Sequence, residues 1–439
     1  MARWLASALL LLSSVSCGAD SALSARHPTS GSVTISVALE GNGADADGFA
    51  YEVGQAATGT VAAGQPVTVP GLTPGSHTVR LDGLAPHCQA PNPEQSVVVN
   101  GGDTTAVEFV VECFGGLAYA EWYSPNNQQL FYLAHDGTTH KLTQLVGRNV
   151  AREWSPDGTR LLFENDTNGN IDLYSVRFDG NDHQRLTTHQ YNDVSPRWSP
   201  DGLKILFTRR PPGPSATSSL YIVSPDGAYE RPVIAPYHAD YDAAWTRDGS
   251  EIIFSCDRFE RQFDLCIAKA DGSEIRTLAT LVALAQARLS PDGTHVAMYG
   301  FDTSPSVYVA PLGGSVLIKL TPAFAAHSFD WSPDGQQLVL QTYINNWRVH
   351  RVNRDGTDLR ELRPDSVAMT TPRWSPDGEW IAYIRTHPVD QQVWIMRSDG
   401  TQARRLTAGF SFKLNPVWNP KAMAGTGATR IRGGNDARR

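Results

Sequence analysis

The chain has 439 residues, 41% apolar and 19% charged, with a formal net charge of −8. That length suits two or three domains of ordinary globular composition. The acidic balance argues against nucleic acid as the main partner, and the charge is scattered over turns rather than gathered in runs.

The N-terminus reads as an address. Arg3 precedes a short apolar stretch, Trp4 to Leu12, and small residues follow up to Cys17. A run this short does not span a bilayer and reads as a secretory signal over residues 1–17. Cys17 at its end resembles a bacterial lipoprotein box and is the expected lipidation site. Simple secretion is the alternative, because Ser14 stands where that box usually carries Leu. The expected location is the periplasm or cell surface, anchored to the outer membrane, with the membrane touched only through the lipid. Residues 18–30, rich in Ser and Ala, read as a flexible linker.

Residues 31–114 carry alternating apolar runs at Val33 to Leu39, Phe49 to Val53, Val67 to Val69, His77 to Leu81, Ser96 to Val99 and Ala106 to Val111. Short turn segments separate them and no helix-period stretch intervenes, which predicts a small antiparallel β-sandwich. The phrase Pro70-Gly-Leu-Thr-Pro-Gly-Ser-His-Thr-Val-Arg-Leu81 resembles PEGA-like and carboxypeptidase-regulatory-like domains. Asp45-Ala-Asp47-Gly48 reads as a plain turn, since a calcium loop would need a bidentate Glu at its end. Four further cysteines fall as two pairs, Cys88 with Cys113 and Cys256 with Cys266. In an oxidising compartment both pairs are expected to be disulfides. No CxxC spacing supports the zinc alternative.

From Gly116 a repeat takes over. Trp-Ser-Pro-Asp-Gly or a near copy begins at Trp154, Trp198, Trp245, Leu289, Trp331 and Trp374, and Trp418-Asn-Pro closes the series. A period in the forties built from short apolar runs and Asp-Gly turns is the signature of a β-propeller. In the unit that starts at Trp154, strands a to d are read from the Trp segment, Arg160-Leu-Leu-Phe163, Asp172-Leu-Tyr-Ser-Val176 and Arg185-Leu-Thr187. Counting the Leu-Leu-Phe equivalents from Leu117-Ala-Tyr119 to Ile381-Ala-Tyr383 gives seven blades over residues 116–421, with six as the alternative. The first unit lacks strand a and the last, Phe412 to Trp418, has only strand a. The C-terminal strand is therefore expected to pair beside Leu117 and close the ring, leaving no open edge. The repeated Trp reads as packing between sheets, and Pro-Asp-Gly as a turn device.

The a–b and c–d turns are tight and alike, whereas the b–c and d–a loops are long and varied. Recognition is expected on the varied face. Its candidate binding residues are His189, Tyr191, Asp193, Tyr237, His238, Asp240, Tyr241, Asp242, Phe324, His327, Trp347 and Phe410. The aromatics offer flat apolar surface to a peptide or carbohydrate. Residues 422–439, rich in Gly, Ala and Arg, read as a disordered basic tail.

The repeat resembles the TolB-type propeller family. Trp-Ser-Pro-Asp-Gly, Asp172-Leu-Tyr174, the Asp179-Gly180 turn and Arg185-Leu-Thr187 match its repeat in order and spacing. The resemblance implies an all-β, extracytoplasmic propeller that binds proteins or envelope polymers through one face. Six units and a different N-terminal domain in TolB itself leave a Tol–Pal role open. Similar propellers occur in prolyl-oligopeptidase-type peptidases, which need a Gly-x-Ser-x-Gly elbow, and no such motif occurs here. They also occur in oligogalacturonate lyases, which use a metal. No catalytic residue, metal ligand set or cofactor motif is recognised, so the expected role is a monomeric, non-catalytic binding scaffold for a protein or envelope polymer. The alternative is a lyase-like, polysaccharide-active enzyme with a metal at the channel mouth, drawing on His189, His238 and His327 with Asp193, Asp240 and Asp242.

Overall fold

The computed structural model describes residues 30–421, apart from 42–47, 85–87, 91, 114–115, 135–137, 168, 214–216, 235–237, 258–262, 282, 302–303, 314–315, 322–324, 365–366 and 388–389. The signal segment with Cys17, most of the linker, the Asp45 turn and the basic tail lie outside the described residues.

The N-terminal part forms eight strands: β1 (Gly31–Gly41), β2 (Phe49–Val53), β3 (Ala57–Val61), β4 (Val67–Leu72), β5 (Gly75–Asp82), β6 (Cys88–Gln89), β7 (Glu94–Val99) and β8 (Thr104–Cys113). They make two four-stranded sheets, ordered β4-β1-β8-β6 and β3-β2-β5-β7. Alternation sends Val33, Ile35 and Val37 of β1, Phe49 and Val53 of β2, Val79 and Leu81 of β5, and Val107, Phe109 and Val111 of β8 into one shared apolar cluster. The expectation of purely antiparallel sheets fails at one place. β1 and β8 run parallel, from Ser32 opposite Thr104 to Gly41 opposite Cys113. Local patterning carries no information on the direction of a partner so distant along the chain. β3 and β6 were not legible either, because Ala57–Val61 has a weak apolar face and β6 is two residues long. Cys88 is disulfide-bonded and stands in register with Cys113.

The rest of the described chain is built of four-stranded antiparallel meanders; four stand as separate sheets, and three are joined into one twelve-stranded sheet by short parallel pairings, Asn127 and Gln128 with Gly147 and Arg148, and Gln391 with Phe412. The first comprises β9 (Leu117–Ser124), β10 (Asn127–Leu133) and β11 (Thr139–Lys141), completed by the last of the described strands. Next come β12 (Gly147–Trp154), β13 (Arg160–Asn165), β14 (Asp172–Arg177) and β15 (Gln184–Arg185), then β16 (Asn192–Trp198), β17 (Ile205–Arg210), β18 (Ser219–Val223) and β19 (Glu230–Pro232). β20 (Asp240–Trp245), β21 (Glu251–Cys256), β22 (Phe263–Lys269) and β23 (Arg276–Leu281) follow. β24 (Ala283–Leu289), β25 (His295–Phe301), β26 (Pro305–Pro311) and β27 (Ile318–Lys319) make the next. The last two are β28 (Ala325–Trp331), β29 (Gln337–Tyr343), β30 (Trp347–Asn353) and β31 (Arg360–Glu361), and β32 (Ala368–Trp374), β33 (Trp380–His387), β34 (Asp390–Arg397) and β35 (Arg404–Arg405). β36 (Phe412–Trp418) returns to pair with β9, Trp418 opposite Leu117 and Phe412 opposite Trp122.

The fold is all-β and propeller-like. Second strands such as β13 are apolar without alternation because both faces are covered: Leu161, Leu162 and Phe163 are all fully buried. Each apolar cluster joins two neighbouring meanders. Leu162, Leu173 and Leu186 meet Trp198, Ile205 and Phe207 of the next one. Leu117, Tyr119 and Trp418 likewise meet Trp380, Ala382 and Ile384, so the first and last meanders share a core.

The Trp-Ser-Pro-Asp-Gly turn is a small hydrogen-bonded hub. Ser375 Oγ donates to Asp377 Oδ1 at 2.5 Å and to the Trp380 carbonyl at 3.0 Å, and accepts from Trp380 N at 2.9 Å. Asp377 also accepts from Glu379 N. Ser155, Ser199, Thr246, Ser290 and Ser332 make the same bond to the Asp two residues on. The turn glycines lie at positive φ, 72° at Gly158 and 75° at Gly378, where a side chain would be strained.

Candidate functional site

The varied loops place the candidate residues in three distinct settings. His189 and Tyr191 sit in the segment before β16, their rings edge to face at 4.5 Å. The Asn170 side chain donates to both of their carbonyls. His238 lies before β20, its Nδ1 3.7 Å from Asp257 Oδ1, both side chains part exposed. Phe410, just before β36, is 91% exposed.

A second group is not on loops at all. Asp193, Asp240, Tyr241 and Asp242 belong to first strands, β16 and β20. Asp193 is fully buried and grips Arg209 through two bonds of 2.7 and 2.8 Å, while Arg209 also reaches Glu230 at 2.6 Å. Burial pushes the Asp193 carboxyl up against the pull of Arg209. Asp240 is buried opposite Cys256. Both acids are therefore interior residues and not exposed ligands, a correction with a simple reason: the first strand begins earlier than the Trp motif suggests. Burial and the neighbouring Asp242 push the Tyr241 hydroxyl up.

A third group forms a chain of rings. His327 in β28 meets Trp347 at 4.8 Å, Trp347 meets Tyr343 at 5.1 Å, and Tyr299 stands 6.4 Å from His327. Tyr343 and the adjacent Ile344 are exposed, and partial burial pushes the His327 imidazole down. Tyr237 and Phe324 lie outside the described residues. Among the described residues no three of His, Cys, Asp and Glu come together as a metal-ligating set, so His189, His238 and His327 do not converge. The Cys256–Cys266 disulfide forms across β21 and β22, Cα atoms 6.0 Å apart.

Two further features escaped sequence reasoning. Every first strand carries a bulge, for example between Val194 and Arg197, Tyr241 and Ala244, and Thr370 and Arg373. Ser195, Asp242, Gln286, Thr371 and Asn415 have positive φ there. Four of these amides are taken by the neighbouring meander: Ser195 N donates to Glu164 Oε1 at 2.6 Å, Asp242 N to Thr208 Oγ1, Gln286 N to Asp242 Oδ2, and Thr371 N to Gln341 Oε1 at 2.9 Å. Ser195 Oγ donates to Asp242 Oδ1 at 3.0 Å. A bulge inserts one residue into an apparently regular strand, and nothing in the residue types marks it.

The second feature is a central cavity of about 570 Å3, lined by the Trp-motif ends of the first strands. The residue before each Trp, or before Leu289, lines it in all seven cases: Glu153, Arg197, Ala244, Arg288, Asp330, Arg373 and Val417. The indole N–H groups stitch this rim together. Trp245 donates to the Arg197 carbonyl, Trp331 to that of Arg288 at 3.1 Å, and Trp418 to that of Arg373. Where the rim residue is acidic, its carboxylate instead accepts from the next Trp backbone: Trp198 N to Glu153 at 2.8 Å, Trp374 N to Asp330 at 2.9 Å.

Fold and repeat define a β-propeller protein whose blades are joined through a recurring Trp. The chain belongs to the TolB beta propeller domain family, which matches residues 114–280 and 258–425. Among curated proteins it is 28% identical over 209 residues to Tricorn protease homolog 1 of Streptomyces coelicolor, covering 41% of this chain and 19% of that protein. It is 37% identical over 125 residues to the uncharacterized protein Atu1656 of Agrobacterium fabrum, covering 27% and 42%. It is 30% identical over 110 residues to the Tol-Pal system protein TolB of Anaeromyxobacter dehalogenans, covering 24% of each. The chain thus spans less than half the length of these relatives. Among solved structures, puromycin hydrolase superposes with a TM-score of 0.54 at 17% identity, covering 67% of this chain and 52% of that one. Oligogalacturonate lyase in complex with manganese superposes at 0.50 and 16% identity, covering 66% and 85%. At such identities the likeness is one of fold.

Proposed function

We propose that the protein is an extracytoplasmic, non-catalytic binding scaffold: a β-sandwich followed by a ring of seven four-stranded blades, recognising a protein or cell-envelope polymer through its b–c and d–a loop face. The observation that carries this reading is the run of rings from Tyr299 through His327 and Trp347 to Tyr343, with Ile344 and Phe410 exposed on the same class of loops. Rigid aromatics give contact area at low entropic cost and concentrate binding energy. The Cys256–Cys266 disulfide and the apolar N-terminal stretch support export. The named Tol-Pal system relatives support a protein partner.

Capture from cell-envelope extract on the immobilised chain tests it. The pair Tyr343→Ala with Trp347→Ala is expected to lose the captured partner while the melting temperature holds. Capture that survives the pair unchanged sinks the loop-face reading. Depolymerisation of an acidic polysaccharide by the purified chain on addition of manganese would establish the lyase-like alternative instead.

A further inference from the structure

The cavity at the opposite, turn-bearing end of the ring is independent of that loop face. We infer that it is a binding site for a small, multiply charged oxyanion, bearing carboxylate or phosphate groups, held by Arg197, Arg288 and Arg373.

Three observations converge. The first is an imbalance of charge. Five arginines line the space, Arg152, Arg197, Arg288 and Arg373 of the first strands and Arg247 of a turn, with only Glu153 and Asp330 as acids. The second is how those acids are used. Glu153 accepts from Trp198 N and stands 3.9 Å from Arg197; Asp330 accepts from Trp374 N. Arg152 turns to Glu164 at 2.5 Å. Arg373 donates to the Pro372 carbonyl at 3.0 Å. The Arg288 guanidinium has no hydrogen-bond or ion-pair partner among the described residues. The third is rigidity. The carbonyls of Arg197, Arg288 and Arg373 are each fixed by a Trp indole from the next blade, so the three side chains spring from a preset rim.

Arg288 is half-buried at the rim; a guanidinium partly withdrawn from water beside other cations is stabilised by an anion, and its planar fork of donors matches carboxylate and phosphate oxygens. Burial, then the like charges of Arg197 and Arg373, push Arg288 down to about 9. It remains a cation in the neutral range, and Asp330 and Glu153 offset the neighbouring arginines only in part, so a further anion is favoured there. A cavity of about 570 Å3 holds a small molecule, not a folded segment. The site is also multivalent: one anion with two or three charged groups meets several arginines at once.

Isothermal titration of the full chain with citrate and with inorganic phosphate, at ionic strength matched with sodium chloride, tests the inference. Saturable binding of at least one is expected, and which binds tighter separates the carboxylate from the phosphate source. Arg288→Gln is expected to weaken that binding at least tenfold, and to be no less stable than the parent in anion-free buffer. Tyr343→Ala with Trp347→Ala is expected to leave it unchanged, so this inference and the loop-face reading fail separately. If Arg288→Gln does not fold, Arg373→Gln carries the same readouts; failure of both to fold marks the arginines as structural and overturns the proposal. Heats no larger than those of sodium chloride, or equal binding by Arg288→Gln, overturn it as well.

Discussion

The two ends of the ring are built on different rules. At the turn end one arrangement recurs: a hydroxyl at Ser155, Ser199, Thr246, Ser290, Ser332 or Ser375 bonds the aspartate two residues on. At the loop end the ion pairs are largely particular to a blade, although Thr143 with Gln129 and Thr407 with Gln392 repeat one arrangement. One uses Arg148 with Asp166, another Arg209 with Asp193 and Glu230, another Arg348 with Glu361, and another Lys413 with Glu121. Repetition marks what every blade needs in order to pack against its neighbour. Variation marks what no blade needs, and that surface is free to specialise. The rim of the central cavity obeys both rules, with a repeated backbone bond beneath side chains that differ from blade to blade.

Four perturbations break or sharpen this contrast. The largest acts on both ends at once. Deleting residues 412–418 removes one of the two partners of β9 and takes Trp418 out of the core that the first and last meanders share; loss of a single cooperative melt by calorimetry is expected. Next is Arg209→Ala, which strands the buried Asp193 beneath the loop face. It is expected to cost about 3–5 kcal/mol in urea unfolding, showing that an irregular loop end still rests on a fixed interior. Third is a pH effect confined to one blade. His350 is buried, its Nδ1 2.9 Å from Thr342 Oγ1, and burial, then Arg348, push it from 6.5 down to about 4. The unfolded chain takes up this proton first as pH falls, so stability is lost between about 6.5 and about 4, by up to about 3 kcal/mol. Substituting His350→Phe should flatten that part of the stability–pH curve. Smallest is Ser375→Ala, which leaves Trp380 N and Asp377 short of a partner. A loss of about 1–2 kcal/mol is expected, with ligand capture at the far end untouched.

Much of the scaffold was legible because its causes are local and repeated. The Trp motif, the doubly buried runs such as Leu161-Leu-Phe163 and the incomplete first and last units announce the blades and the β36–β9 pairing. The site was less so. Asp193 and Asp240 read as loop acids because the start of a first strand carries no fixed residue, only a place in the ladder. The parallel β1–β8 pair escaped because no local pattern encodes direction. The cavity rim escaped because its position is constant while its residue type is not: Glu153, Ala244 and Arg288 share no chemistry until the ring places them together.

The bond between Glu121 and Ser411, 290 positions apart along the chain, has a consequence for biogenesis. β9 is among the first of the blade strands to emerge from the ribosome or an export channel, and its partner is among the last. Until residues 412–418 arrive, one side of β9 is bare, an unpaired edge of the kind that invites aggregation and chaperone binding. A product that stops before residue 412 therefore leaves that side of β9 without its ladder partner.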